Sequence, residues 1–248
     1  MRAIYILCVR QLKRYIRSPA RIVGSLGQPV VFLLAFGFGL GSIFKRAGAG
    51  NYINFVTPGI VAMGIIFTAV FSGIEIIWDR QFGFLKETLV APVSRLAIVL
   101  GRVLGGAIVA MLQGAAVFVV CLVIGFRFES WLLLPVALIF MFLISLLVTS
   151  IGTAIGSVLQ DMQGFPLVMN FLVMPLVFFS DAFFPMKDLP KMLEAALLLN
   201  PVTYGVDGLR GALGHAFAFS VATDLAVLVV LSSILLSIGS YLFSKIQL

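Results

Sequence analysis

The chain has 248 residues, 61% of them hydrophobic and 11% charged, with a mean hydropathy of +1.16 and a formal net charge of +7. Soluble domains average about half apolar and a quarter charged residues, so the composition excludes a water-soluble globular protein and implies a membrane protein. The cations lie along segments that flank apolar runs, which points to anionic inner-leaflet lipid as the partner and away from nucleic acid.

The first element is MRAIYILCVRQLKRYIR, residues 1–17. On a 3.6-residue wheel Ile4, Tyr5, Cys8, Val9, Leu12, Tyr15 and Ile16 gather on one face, and Arg10, Lys13, Arg14 and Arg17 on the other. An amphipathic helix lying in the membrane interface explains that split. A signal-peptide n-region is the competing reading, but the following apolar run is long enough to span and no small-x-small site closes it.

Spanning a hydrocarbon core of about 30 Å takes about 20 apolar residues per helix. Six runs qualify: Ile22 to Phe44, Phe55 to Ile77, Leu96 to Phe126, Leu132 to Leu159, Phe165 to Phe183 and Phe219 to Phe243. They are continuously apolar, unlike the ten-residue alternating strands of a barrel, so the predicted class is all-α with six transmembrane helices in a single transmembrane domain, 1–248. The pairs Gly37/Gly41, Gly101/Gly105 and Gly152/Gly156 have the spacing that lets helix backbones approach.

With six spans both termini share one side. That side carries Arg2, Arg10, Lys13, Arg14, Arg17, Arg21, Arg80, Lys86, Arg95, Arg102 and Lys245, and the other only Lys45, Arg46, Arg127, Lys187, Lys191 and Arg210. The excess assigns both termini to the cytoplasm of a multi-pass cell (inner) membrane protein.

Between the second and third runs lies RQFGFLKETLVAPVSR, residues 80–95. Phe82, Leu85 and Leu89 share one side of a wheel and Phe84, Glu87 and Ala91 the other, with Pro92 ending any helix. A short cytoplasmic helix fits this pattern, and so does a solvated loop. After the fifth run, residues 181–215 contain the helical stretch Met192 to Leu199, broken sharply by NPVTYG; a pair of short helices on the outer side and an ordinary connection both fit. Within it Asp207 and Arg210, three residues apart, are spaced to pair on one helix face.

Catalytic motifs are missing. No Lys is preceded by Gly and followed by Ser or Thr, which excludes a phosphate-binding P-loop. The one histidine, His215, excludes H-E-x-x-H metal sites, and Cys8 and Cys121 fall at opposite ends of the membrane, so neither a disulfide nor a metal site is expected. Glu75, Asp161, Asp181 and Asp224 all fall near span ends, which argues against a proton-coupled carrier with an ionisable group at mid-depth.

Two stretches resemble the type-2 ABC exporter permeases, a family of membrane subunits that includes multidrug and lipo-oligosaccharide or polysaccharide exporters. They are IWDRQFGFLKETLVAPVSRLAIVLGRVL, residues 77–104, and LPKMLEAALLLNPVTYGVDGLRGAL, residues 189–213, and the overall layout is similar throughout the chain. The resemblance implies a transport subunit without enzymatic activity of its own. It would pair with a second permease copy and dock a separate ATP-binding subunit that holds ATP and Mg. It implies that residues 80–91 form the coupling helix, with Arg80, Phe82, Phe84, Leu85, Glu87 and Thr88 as contacts, and that 1–17 is the interfacial helix. It further implies that 184–215 is an outer re-entrant pair, a lid or exit gate shaped by Asn200, Pro201 and Tyr204, with Asp207 and Arg210. A self-contained secondary carrier or channel is the rival reading.

Overall fold

The computed structural model describes residues 2–39, 41, 52–84, 93–127, 131–183, 190–214 and 217–246. Among them, nine α-helices follow one another: α1 (Arg2–Ile16), α2 (Pro19–Gly39), α3 (Tyr52–Gln81), α4 (Arg95–Ile124), α5 (Leu134–Val158), α6 (Gly164–Phe178), α7 (Lys191–Leu199), α8 (Pro201–Ala212) and α9 (Val221–Ser244). A single 3₁₀ turn, Trp131–Leu133, leads into α5.

The helix starts follow from local chemistry. Pro19 opens α2, where its missing N–H costs nothing. Ser94 Oγ accepts from Ala97 N at 3.3 Å to start α4, and Ser220 Oγ accepts from Thr223 N at 3.1 Å to start α9.

Five helices are long and apolar enough to cross a membrane: α2, α3, α4, α5 with its leading turn, and α9. The expected fifth span, Phe165 to Phe183, is different. Its helix α6 has 15 residues, about 22 Å of rise, and stops at Phe178. Asp181 beyond it takes a left-handed conformation, φ 57°. Apolar composition continued past this point, and the stop is set by partners remote in sequence: Asn200 Nδ2 donates to Leu176 O at 2.9 Å and to Phe179 O at 2.6 Å, capping the last carbonyls of α6.

Helix α3 is the axis of the core. In its most apolar stretch 83% of residues are buried, against 17% in α2 and in α9, which present their apolar sides outward. Close approach explains the burial. At Gly73 any Cβ would collide with the carbonyl oxygen of Gly152, and at Gly156 one would collide with the carbonyl of Gly73. The Gly152/Gly156 pair is therefore the seam between α5 and α3. Gly101 and Gly105 serve another seam: a Cβ at Gly101 would lie 2.8 Å from Leu7 Cβ, and one at Gly105 2.9 Å from Gln11 Cγ. Here α1 packs on α4. At Gly37, by contrast, a Cβ would meet the flexible Ile53 side chain, and at Gly41 nothing within 4 Å.

Gly73→Leu should force α3 and α5 apart and cost about 1–3 kcal/mol or more, the usual penalty of overpacking. Gly27→Ala, where a Cβ meets nothing within 4 Å, should leave stability unchanged. Thermal unfolding of the detergent-solubilised protein, followed by size-exclusion chromatography, checks both.

Candidate functional site: an ionic clamp and groove at the end of α3

The cytoplasmic-side assignment of the sequence places Glu75, Asp79 and Arg80 in the last two turns of α3, just before the segment that resembles a coupling helix. Glu75 and Asp79, one helical turn apart, are both buried, at 3% and 4% exposure. Each is shared between two arginines. Arg21 of α2 donates to Glu75 at 3.0 Å and Arg14 of α1 stands 3.7 Å from its other oxygen. Asp79 forms an ion pair with the buried Arg102 of α4 and lies 3.6 Å from Arg10 of α1. Arg80, on the next face, donates to Ser157 O at 2.9 Å and Leu159 O at 3.4 Å, the carbonyl-rich end of α5.

The last two turns of α3 are thus tied to α2, α4 and α5 by charge-assisted hydrogen bonds, and to α1 by longer, partly exposed ion pairs. Tyr15 adds a further tie from α1, donating to the buried Gln113 of α4.

This geometry revises the reading of α1. The four cations of the predicted basic face, Arg10, Lys13, Arg14 and Arg17, are all exposed, and two of them, Arg10 and Arg14, also stand within 4 Å of a buried acid of α3. The face that packs on α4 is Ile4, Leu7, Cys8, Gln11 and Tyr15, rotated from the predicted one, so Tyr5 and Ile16 point away at 70% and 62% exposure. The cause is the flat Gly101/Gly105 surface, which admits side chains of any polarity that fit. Burial there pushes the Cys8 thiol up, and its Sγ donates to Gly101 O at 3.3 Å.

Beside the clamp an open groove of about 860 Å³ runs between α1 and Phe84. Tyr5, Ile6, Val9, Lys13 and Arg17 line it on one side, with Asp79 and Phe84 opposite. Phe82 and Phe84 are exposed at 69% and 53%. Leu85, Glu87 and Thr88, the other expected contacts, lie outside the described residues, as do 184–189 and His215.

At the other end of the chain the expected turn residues form a second cluster. Asn200 ends α7 and caps α8, accepting from Val202 N at 3.0 Å, with Pro201 in the first turn of α8. Tyr204 donates to Leu198 O at 3.0 Å and its ring lies 5.2 Å from that of Phe219. Asp207 and Arg210 do not pair, contrary to the spacing argument. Asp207 accepts from Ala218 N and Phe219 N, both at 2.9 Å. Arg210 forms an ion pair with Asp181, donates to its carbonyl at 2.6 Å and stands over the Phe55 ring at 4.4 Å. The i, i+3 spacing was available, but Asp207 is consumed by the turn into α9, and the left-handed turn at Asp181 offers Arg210 a buried partner. Asn200, Asp207 and Arg210 are all buried, so their contacts hold the fold together. No signal in the sequence marked Glu75, Asp79, Arg21 or Arg102 as a network, since its members are scattered over three helices.

Among the described residues no three His, Cys, Asp or Glu side chains are grouped to hold a metal ion. An all-helical body with five helices long and apolar enough to cross a membrane is that of an integral membrane protein. The comparison with known sequences identifies its family: the profile of the ABC-2 type transporter family matches residues 2–213, and the chain belongs to that family. It is 31% identical over 199 residues to Nodulation protein J of Rhizobium leguminosarum bv. trifolii, covering 79% of this chain and 75% of that one. It is 25% identical over 263 residues to the putative transport permease ycf38 of Cyanophora paradoxa, covering 98% and 88%. Permeases of this family are membrane subunits of ABC transporters and work with an ABC ATP-binding subunit.

Asp79→Asn leaves Arg102 buried without its counter-charge and should cost about 3–5 kcal/mol, whereas the double change Asp79→Leu with Arg102→Met should recover most of it. Unfolding of single and double variants in one detergent measures the coupling.

Proposed function

We propose that this permease is the transmembrane subunit of an ATP-driven exporter, moving an amphiphilic or lipid-linked substrate such as a drug, glycolipid or polysaccharide out of the cytoplasm or inner leaflet. It works as a pair of permease copies in the cell (inner) membrane with both termini cytoplasmic, and the ATP-binding subunit supplies ATP and Mg. The observation that carries the reading is the clamp. A load applied just after Gln81 reaches α1, α2, α4 and α5 through Glu75, Asp79 and Arg80, so a push on residues 80–91 moves the body as a unit. Such transmission requires a stiff connection with two packed arrangements, and two buried acids held by four arginines provide the stiffness. The groove between α1 and Phe84 offers the ATP-binding subunit an aromatic and basic seat.

One observation favours the rival, a self-contained carrier, here one coupled to protons: Asp224 in the first turn of α9 is fully buried beside Asp207, with no donor to either oxygen among the described residues. Its position at the helix end, away from the middle of α9, supports a structural place in the α8–α9 junction instead.

Replacing Phe84 by Asp should leave the permease folded but reduce ATP-dependent transport at least about tenfold in vesicles containing both subunits, the effect of losing one aromatic anchor. Unchanged transport would refute the coupling assignment. Transport by this chain alone, driven by a proton gradient and indifferent to ATP, would overturn the exporter reading.

A further inference from the structure

A cleft of about 650 Å³ opens between α2 and α3 beside the α1–α2 turn, sharing only Arg14 with the lining of the Phe84 groove. That volume is in the range of small-molecule sites. Its lining includes the guanidinium groups of Arg14 and Arg21, near the α1–α2 turn, and the apolar side chains of Phe67, Phe71 and Ile74.

The charge of the two arginines is unbalanced. Arg14 and Arg21 share a single carboxylate, Glu75, so one positive charge is left over. The same wall holds two further buried groups with no hydrogen-bond partner among the described residues, Trp78 Nε1 and Thr68 Oγ1. The indole N–H can only donate. Surplus positive charge and orphan donors call for an anionic, oxygen-rich group, and a guanidinium fork matches phosphate best. The apolar wall, opening between two helices that are themselves apolar enough to cross a membrane, calls for a hydrocarbon chain attached to it.

We propose that this cleft binds a membrane amphiphile with a phosphate head, the head on Arg14 and Arg21 and the chain along Phe67 and Phe71. The proposal does not depend on the ATP-driven reading. It concerns one leaflet-facing site on the permease itself, at the seam where α1 joins α2 and α3. A ligand there contacts Arg14 and Arg21, two of the groups that hold Glu75, and so touches the clamp directly.

Gly24 lines the cleft, and a Cβ built on it meets nothing within 4 Å. Gly24→Leu therefore starts its side chain without a clash among the described residues and takes up space in the cleft that Gly24 lines. The test titrates the full-length permease in nanodiscs of phosphatidylcholine with phosphatidylglycerol, and reads retained lipid by native mass spectrometry after release. Wild type should retain phosphatidylglycerol over phosphatidylcholine by at least about tenfold, equivalent to about 1.4 kcal/mol, and millimolar inorganic phosphate should not displace it. G24L should lose that preference with its thermal unfolding unchanged, and Arg21→Gln should lower phosphatidylglycerol retention while leaving phosphatidylcholine alone. If G24L does not fold, Phe71→Trp, at a side chain already 47% exposed, narrows the same cleft and should have the same effect. Equal retention of both lipids by wild type, or undiminished phosphatidylglycerol on the folded cleft variants, would overturn the site. Displacement by inorganic phosphate would show an anion site that does not require the chain, and would overturn the amphiphile.

Discussion

Two carboxylates buried at the end of one helix set the architecture around them. Glu75 and Asp79 cannot remain charged inside an apolar body unless cations reach them, because the desolvation of an unpaired charge costs several kcal/mol. Four arginines from α1, α2 and α4 do so, and each brings its helix with it. The amphipathic first helix is consequently docked on the permease body, and the turn into α2 is held where Arg21 can reach Glu75. What looks like a surface helix with a basic face is half of an ion-pair network.

Packing makes that network possible. The arginines reach the acids only because α1 lies flat on α4 over Gly101 and Gly105, and because α3 touches α5 backbone to backbone at Gly73, Gly152 and Gly156. In hydrocarbon, helices gain little from burying apolar side chains, so close backbone contact and polar ties carry the association. The other end of the molecule uses the same logic with different residues. Asn200 ends α7, starts α8 and caps α6, while Arg210 reaches back to the left-handed turn at Asp181. A short helix with satisfied terminal carbonyls can stop inside an apolar environment, which an uncapped one cannot do.

These two clusters give the family's division of labour a physical form. This ABC-2 permease has a body whose central helix is almost wholly buried and ends in a charged cluster. The body is apolar, and the groove beside Phe84 lies over that cluster.

How much of this was legible beforehand depended on range. Helical class, the positions of five long helices, the break at Asn200–Pro201 and two of the three glycine seams all follow from composition and from patterns within one or two turns, because propensity, capping and backbone approach are decided locally. The length of α6, the partner of Arg210 and the orientation of α1 do not. Asn200 caps a helix more than twenty residues away, Arg210 passes over an acid three residues distant for one twenty-nine away, and α1 turns on a glycine surface nearly a hundred residues later. Ion pairs and caps between distant segments are chosen by which groups the packed helices bring within reach, and that distance exists only once the chain has folded.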